Sequence, residues 1–342
     1  MKPLARLRIK SPFKFLFLFS VCLVWLFYQT DEDIKFVFSG QTMGTTYEIK
    51  IKTDYKEFDS TEIQSDIDSI LNSINKSMST YINTSEISRF NKNKTKDKIA
   101  VSDDFYYVLD KSIEYFKLTN GTFDSTVRPL LTLWGFRGKE VLNKPDTSMV
   151  NDILEYVGSD KILLHSDNYI QKTHPMISLD FGAIAKGYAV DEISDYLENS
   201  GYKQHYVEIG GDMICKGRNW AIGVSYPEFN SGQVYKKISL NNYAVATSGT
   251  YNQSIQINDF EYSHIFDPRI GEPSKNNVVS VTVISSSSIY SDALATSLKV
   301  SGKDKGLDFI NSLKDVECMF IVKEDGEFKD YLSDNFSSFF VD

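Results

Sequence analysis

The segment LDFGAIAKGYAVD, at positions 179–191, contains the residues best suited to bind a ligand or a metal. Residues 176–180 have the pattern of a buried strand, and the periodicity that follows predicts a helix over residues 183–199. Free backbone N–H groups at the start of a helix attract anionic oxygen. Asp180 could hold a cation or a hydroxyl, and Lys186 stands one turn further along to contact a phosphate. A helix that is merely capped after a buried strand fits the same pattern.

A second group of functional side chains occupies positions 264–273, with the sequence HIFDPRIGEP. Pro268 fixes the backbone after Asp267, and neighbouring glycine turns could direct His264, Asp267 and Arg269 into one cavity. The chain has four histidines, and His264 is the one in such a setting. It is therefore a candidate general acid or base. A hydrogen-bonded turn without a catalytic role would also explain these residues.

Two further positions carry oxygen ligands or close turns. Asp292 and Thr296 stand four residues apart in a predicted helix, so they project from the same face. A carboxylate and a hydroxyl placed in this way can hold Mg²⁺ and leave room for water and a diphosphate, although an Asp near a helix start is also common. Gly210 and Gly211, followed by Asp212, predict either a tight turn or a backbone pressed against a ligand.

These residues must be positioned by a mixture of helices and short strands. Asp59 and Glu62 form a capping box before one helix, and Ser102 begins another that ends at Asn120. Strands are predicted at 46–53, 161–164, 169–172, 206–209, 220–224, 236–240 and 278–284. Few helices separate these strands, which favours an α+β fold with antiparallel sheets packed with helices. The sequence contains neither GxGxxG nor GxxxxGK[ST], so it lacks the common nucleotide-binding loops.

The first thirty residues predict export or membrane attachment. They hold five cations and no acid, and an apolar run covers residues 15–28. Bulky residues stand where a signal-peptide cleavage site would need small ones, which favours an uncleaved signal anchor at 1–30. One domain is predicted to follow at 31–342. A lipoprotein attached at Cys22 is a weaker alternative. The distribution of charge around the apolar run places the domain outside the cytoplasm.

Composition excludes several classes of partner and metal. The chain carries a net charge of −9, and the domain without its basic leader is more acidic still, so nucleic acid is not an expected partner. Two cysteines, Cys215 and Cys318, remain in the domain. They could pair in an exported protein, but they cannot build a structural zinc site. Any metal is expected to be a hard ion with oxygen ligands.

The ordered set of segments resembles the ApbE family of FAD:protein FMN transferases. The blocks that carry the resemblance are TMGT at 42–45, STYINTSEISRFN at 79–91, GTFDSTVRPLLTLWGF at 121–136, LDFGAIAKGYAVD at 179–191, VEIGGD at 207–212, ATSGTY at 246–251, HIFDPRIGEP at 264–273 and DALAT at 292–296. The resemblance covers nearly everything from Gly40 onward. Ser125, Arg128 and Ile270 depart from residues that are frequent in the family, and none of these departures removes a proposed ligand.

The resemblance implies which residues form the site. It implies that FAD is bound by Met43, Tyr81, Thr122, Phe123, Asp124, Asp180, Lys186, His264 and Ile265. It implies that Mg²⁺ is held by Asp292, Thr296 and the backbone carbonyl of Ala183. The general base would be His264 or, if it is not occupied in binding, Asp180.

The resemblance also implies the reaction and its setting. FMN would pass from FAD to a Ser or Thr hydroxyl of an acceptor protein, with release of AMP. The acceptor would be a flavin-carrying subunit of a membrane electron-transfer complex, with the catalytic domain on the periplasmic side of the inner membrane. Two alternatives remain: an Mg²⁺-dependent FAD pyrophosphatase, in which water replaces the acceptor hydroxyl, and a non-catalytic flavin carrier that would need no metal.

Overall fold

The architecture was obtained as a computed structural model. It describes residues 36–53, 59–138, 141, 143–228, 233–249, 254–258 and 260–341. The predicted anchor at 1–30 lies outside the described residues. Within the described part of the chain, no helix is both long and apolar enough to cross a membrane.

The described residues form the following elements. The strands are β1 (Phe36–Thr42), β2 (Thr45–Lys52), β3 (Ile99–Ala100), β4 (Ile162–His165), β5 (Tyr169–Lys172), β6 (Gln204–Ile209), β7 (Asp212–Lys216), β8 (Trp220–Ser225), β9 (Val234–Leu240), β10 (Tyr243–Gly249), β11 (Ser254–Ile257), β12 (Phe260–Ser263), β13 (Phe266–Asp267), β14 (Glu272–Pro273), β15 (Val278–Ser285), β16 (Glu317–Glu324) and β17 (Glu327–Leu332). The α-helices are α1 (Ser60–Met78), α2 (Glu86–Lys92), α3 (Asp103–Leu118), α4 (Arg128–Leu133), α5 (Thr147–Leu154), α6 (Ala185–Asn199), α7 (Ser288–Ser301) and α8 (Lys303–Asn311). Short 3₁₀ helices cover Ser159–Lys161 and Phe336–Phe339.

An eight-stranded sheet in the order β1-β2-β6-β7-β10-β15-β16-β17 forms the centre of the fold. Every neighbouring pair in it is antiparallel. Side chains alternate between its faces. Val281, Val283 and Phe320 pack against α7 and α8, whereas Met319 and Ile321 pack against the β8–β9 hairpin and the C-terminal 3₁₀ helix. The predicted α+β fold is therefore confirmed.

The local sequence signals for helices α1 and α3 are also confirmed. The Asp59 carboxylate accepts hydrogen bonds from the backbone N–H groups of Thr61 at 2.9 Å and Glu62 at 3.1 Å. The Ser102 hydroxyl accepts from the Phe105 N–H at 3.3 Å. Each cap satisfies donors that a helix start would leave without partners. Both helices pack their apolar faces into the core beside the sheet.

The strand predicted at 176–180 is wrong. Met176 lies in a turn, and residues 177–180 have no regular secondary structure. Instead, the Asn91 side chain accepts from the Leu179 N–H at 2.7 Å and donates to the Leu179 carbonyl at 2.8 Å, and the Asp180 N–H donates to the Ser125 carbonyl at 2.8 Å. The backbone groups of a buried segment need partners, and here a side-chain amide supplies those of Leu179.

The two cysteines of the domain do not form a disulfide. Cys215 and Cys318 are both free and buried. They cannot meet because Cys215 packs in the core on the β8–β9 side of the sheet and Cys318 in the core beneath α7 and α8. Burial raises the pKa of Cys318 to about 12 and raises that of Cys215 as well. Both thiols are therefore held in their unreactive protonated form.

We expect neither thiol to react with iodoacetamide at pH 8 in the folded protein, and both to react in 6 M guanidinium chloride. Peptide mass spectrometry measures the labelling of Cys215 and Cys318 separately, so labelling of Cys22 does not affect the result. A disulfide-linked pair of these two peptides from protein that was never reduced would contradict the structure.

Candidate active site

Twelve of the residues proposed from the sequence line one cavity of about 480 Å³. They are Met43, Tyr81, Thr122, Phe123, Asp124, Asp180, Ala183, Lys186, His264, Ile265, Asp292 and Thr296. The expectation that Asp267 and Arg269 would share the cavity is wrong. The two form an ion pair of 2.7 Å with each other and are absent from the lining.

Met43 enters the cavity from the hairpin between β1 and β2. Thr42 pairs directly with Thr45, so Met43 and Gly44 form a two-residue turn. Both have positive φ, at 51° and 78°. This combination is the geometry of a type I′ turn, which suits the twist of an antiparallel hairpin. The strained conformation of Met43 is thus maintained by the pairing on either side of it.

The loop after α3 contributes a buried carboxylate with one unpaired oxygen. Asp124 Oδ1 accepts hydrogen bonds from the Thr126 N–H at 2.8 Å, the Thr126 hydroxyl at 2.7 Å and the Ser159 hydroxyl at 2.6 Å. Asp124 Oδ2 is buried without a partner. Burial raises the pKa of the Asp124 carboxyl. Because an unpaired buried polar atom is costly, Oδ2 is suited to pair with a ligand.

Asp180 is bound on both of its oxygens. Oδ1 accepts from the Gly182 N–H at 2.9 Å. Oδ2 lies 3.0 Å from Nε of Arg137 and 3.6 Å from Nη1 of Arg128. Burial lowers the pKa of the Arg137 guanidinium, but the charge of Asp180 outweighs this and raises it overall. The carboxylate therefore lies between two permanent cations in the cavity wall.

Lys186 lies between two buried carboxylates at the start of α6. Its ammonium contacts Asp212 closely and lies 3.3 Å from Asp292 Oδ2. Burial lowers the lysine pKa, but the two carboxylates outweigh burial and raise it well above its ordinary value. Lys186 is therefore a fixed cation, which is the form needed to contact phosphate. Asp212, which the sequence marked only as part of a turn, provides one of its two anions.

The oxygens proposed for the metal lie on α7 and in the turn before α6. Asp292 Oδ2 also accepts from the Gly187 N–H at 3.2 Å, and the Thr296 hydroxyl lies 3.0 Å from the Ser248 hydroxyl. Both side chains line the cavity together with Ala183. The described residues contain no cluster of three or more His, Cys, Asp and Glu side chains suited to a metal. A set of one carboxylate, one hydroxyl and one carbonyl fits Mg²⁺, which keeps several positions for water and substrate oxygen.

Aromatic and imidazole groups complete the cavity. Tyr81 is 76% exposed, whereas Phe123 is 2% exposed, so one ring lies at the mouth and the other at the wall. Flat apolar surfaces of this kind can stack against a planar ring. His264 is half-buried and is followed by the buried Ile265. The cavity thus combines ring-stacking surfaces, a fixed cation, hard oxygen ligands and a candidate base.

Sequence reasoning missed the partners of two proposed site residues. It did not identify Asp212 as the partner of Lys186 or Arg137 as the partner of Asp180. The GGD sequence indicated a turn at Asp212, but it did not indicate that Asp212 contacts Lys186. Nothing local marks Arg137, because its partner is 43 residues away in the chain.

Asn91 positions the segment that carries Asp180, so its removal should weaken ligand binding. We expect Asn91→Ala to raise KM for the substrate of this cavity about tenfold, with a smaller change in kcat, because Leu179 loses both backbone partners. Steady-state kinetics measures both constants. Asn93→Ala, just after α2, is the control, since its side chain bonds only the local Thr95 N–H. Equal effects of the two substitutions would contradict this role of Asn91.

Comparison with known proteins shows the family of this chain. The family model described as "ApbE family" matches residues 43–320. A Vibrio cholerae protein named FAD:protein FMN transferase is 38% identical over 310 residues, which are 88% of this chain and 91% of that protein. Its Haemophilus influenzae counterpart of the same name is 34% identical over 302 residues, covering 85% of this chain and 87% of that protein.

Solved structures show the same likeness. The flavin transferase ApbE from Vibrio cholerae superposes with a TM-score of 0.80 at 37% identity, covering 89% of this chain and 98% of that one. The Pseudomonas stutzeri flavinyl transferase ApbE, in its apo form, gives a TM-score of 0.80 at 29% identity, covering 89% of this chain and 96% of that one. Fold and cavity together define a flavin transferase. The chain belongs to the ApbE family.

Proposed function

We propose that this chain is an Mg²⁺-dependent FAD:protein FMN transferase that links FMN to a Ser or Thr hydroxyl and releases AMP. The observation that carries the proposal is the convergence of Lys186, Asp292 and Thr296 on the same cavity as Tyr81 and Phe123. Cation and oxygen ligands suit a diphosphate, and the rings suit an isoalloxazine. The relatives named FAD:protein FMN transferase support the same reaction.

In the proposed reaction, the acceptor hydroxyl oxygen attacks the phosphorus atom of the FMN half of FAD. A new phosphoester bond forms, the bond from that phosphorus to the bridging oxygen breaks, and AMP leaves with that oxygen. The hydroxyl proton passes to a base in the cavity. Lys186 holds phosphoryl oxygens and offsets the charge that develops on them. When bound at Asp292, Thr296 and Ala183, Mg²⁺ would supply further neutralisation of the diphosphate.

The base in this proposal is His264, because Asp180 is occupied. Both oxygens of Asp180 already accept hydrogen bonds, and two guanidinium groups flank the carboxylate. These contacts already occupy the oxygens with which Asp180 would have to accept the proton of the acceptor hydroxyl. Asp180 therefore serves the binding of FAD by shaping the wall. His264 lines the same cavity, and an imidazole nitrogen can accept the proton of a hydroxyl.

Separate substitutions of His264 and Asp180 should distinguish the base from the binding residue. We expect His264→Gln to lower kcat by roughly 10²–10⁴-fold while FAD affinity stays within about threefold. We expect Asp180→Asn to raise KM for FAD more than it lowers kcat. The assay follows FMN-labelled acceptor by mass, and fluorescence quenching gives FAD affinity. If Asp180→Asn instead lowered kcat with unchanged KM, the assignment of the base would be wrong.

The setting of the reaction is also part of the proposal. The basic and apolar residues of the first thirty positions suit an anchor in the inner membrane with the domain on the periplasmic side. The acceptor would then be a flavin-carrying subunit of a membrane electron-transfer complex. Because the domain is acidic, it would repel nucleic acid, so a protein is the expected partner.

The deciding experiment incubates the full-length chain with FAD, Mg²⁺ and a candidate acceptor domain, and measures the intact mass of the acceptor together with free FMN and AMP. A gain of one FMN that disappears when Mg²⁺ is chelated supports the proposal. FMN and AMP released with every tested acceptor unmodified would favour an FAD pyrophosphatase. Bound but unchanged FAD would favour a flavin carrier.

A further inference from the structure

Asp212 has features that an ordinary turn residue would not need. It is 2% exposed and begins β7, directly after the turn formed by Gly210 and Gly211. Gly210 has a φ of 58° and Gly211 a φ of 94°, conformations that suit glycine. This turn brings the carboxylate into close contact with the Lys186 ammonium. Asp212 does not line the cavity, whereas Lys186 and Asp292 do, so it contacts the lysine from behind the wall.

We propose that Asp212 is a positioning residue that competes with Asp292 for the Lys186 ammonium, which lies 3.3 Å from Asp292 Oδ2, and so leaves the Asp292 carboxylate available to a divalent cation. This inference rests on the proposed function, because it concerns how the proposed metal position is kept free. It assigns a role to a side chain that does not line the cavity but that contacts Lys186 and lies beside Asp292. The carrying observation is that one ammonium contacts two buried carboxylates.

The charges explain why a second carboxylate is needed. Two carboxylates share one ammonium, because Lys186 contacts both Asp212 and Asp292. A cation that bound Asp292 would repel the ammonium, and Asp212 gives the ammonium an anion that the metal does not use. Without Asp212, Asp292 would be the anion left beside Lys186, and the lysine would compete with the metal for it. Breaking a buried ion pair at one partner is costly, so this competition would be strong.

The proposal predicts a fall in metal affinity without a fall in FAD affinity. In Asp212→Asn, the local charge rises by one unit and Lys186 turns towards Asp292. Metal affinity should therefore fall by about tenfold or more, since even a 1.4 kcal/mol change is a factor of ten. The affinity for FAD without metal should stay equal or rise, because the ammonium still faces the cavity. Damage to the fold would lower both affinities together.

The test uses the full-length chain in mild detergent. Electron paramagnetic resonance of free Mn²⁺ gives the metal affinity without FAD, and fluorescence quenching gives the FAD affinity without metal. Glu208→Gln is the matched control. It removes a negative charge from β6 of the same hairpin, where Glu208 accepts from the Gly211 N–H and lies near Lys186 without an ion pair to it. The double variant Asp212→Asn with Lys186→Met restores the local charge and removes the competing ammonium.

The proposal expects weaker Mn²⁺ binding in Asp212→Asn, near wild-type binding in Glu208→Gln, and recovery in the double variant. Equal Mn²⁺ affinity in Asp212→Asn and wild type would overturn it, as would a double variant no better than Asp212→Asn. A wild-type chain that binds no Mn²⁺ would also overturn it. These results are separate from a failure of the proposed function, which appears as absence of FMN transfer by the wild-type protein.

Discussion

Asp292→Asn should abolish FMN transfer while the protein stays folded. Asparagine keeps the size of the side chain and one oxygen, but it removes the one carboxylate of the proposed metal ligands. Loss of a metal that neutralises a diphosphate removes several kcal/mol of transition-state stabilisation, which corresponds to roughly 10³-fold in rate. Lys186 would keep its contact with Asp212, so the ammonium retains an anion. The rate of FMN transfer under saturating FAD and Mg²⁺ measures the effect.

Two controls make this result specific. Asp304→Asn, in the first turn of α8, removes a carboxylate whose side chain is 90% exposed and should leave the rate unchanged. Thermal unfolding of Asp292→Asn should show a single transition close to that of the wild type. Transfer at more than a tenth of the wild-type rate in the Asp292 variant would show that this carboxylate does not hold an essential metal. If the protein were a flavin carrier, FAD binding would be retained in the wild type, in Asp292→Asn and in Asp304→Asn.

The site could be predicted from the sequence because its residues stand in short ordered segments. In each segment a turn adjoins the end of a strand or the start of a helix, and glycine, proline and a change of hydrophobic periodicity mark such junctions in the sequence. Asp180 and Lys186 were found in this way, and so were Asp292 and Thr296. The structure brings all four to one cavity. Their roles in binding and catalysis remain predictions until the substitutions are made.

The errors arose where tertiary contacts override local pattern. The residues at 176–180 have a strand-like sequence, but their partner is the Asn91 amide, 88 residues from Leu179. The helix predicted from Ala183 begins at Ala185, because Ile184 adopts a φ of −154° outside the helical region. Asp267 and Arg269 bond each other in a turn. None of these outcomes has a periodic signal that a single sequence could show.

Gly187→Ala should both destabilise the fold and reduce activity, because α6 and α7 touch at this residue. A Cβ at Gly187 would lie 2.4 Å from the Ser288 carbonyl oxygen and 2.7 Å from the Ile289 Cα. These are backbone atoms, so the helices must separate. Alanine favours a helix over glycine by about 1 kcal/mol, yet overpacking of this kind costs about 3 kcal/mol. We expect a net loss in the free energy of unfolding, measured by urea denaturation.

The activity loss follows from what the helix contact aligns. The Gly187 N–H donates to Asp292 Oδ2, and Asp191 on α6 accepts from the Ser288 and Ile289 N–H groups at 2.7 and 2.9 Å. Separating the helices would move Lys186 relative to Asp292. Gly306→Ala is the matched control, because its Cβ would meet the Phe320 ring at 2.4 Å, where α8 packs away from the cavity. We expect that variant to lose stability but keep transfer activity below its unfolding temperature, whereas Gly187→Ala loses both. Equal activity in the two folded variants would show that the α6–α7 contact supports only the fold.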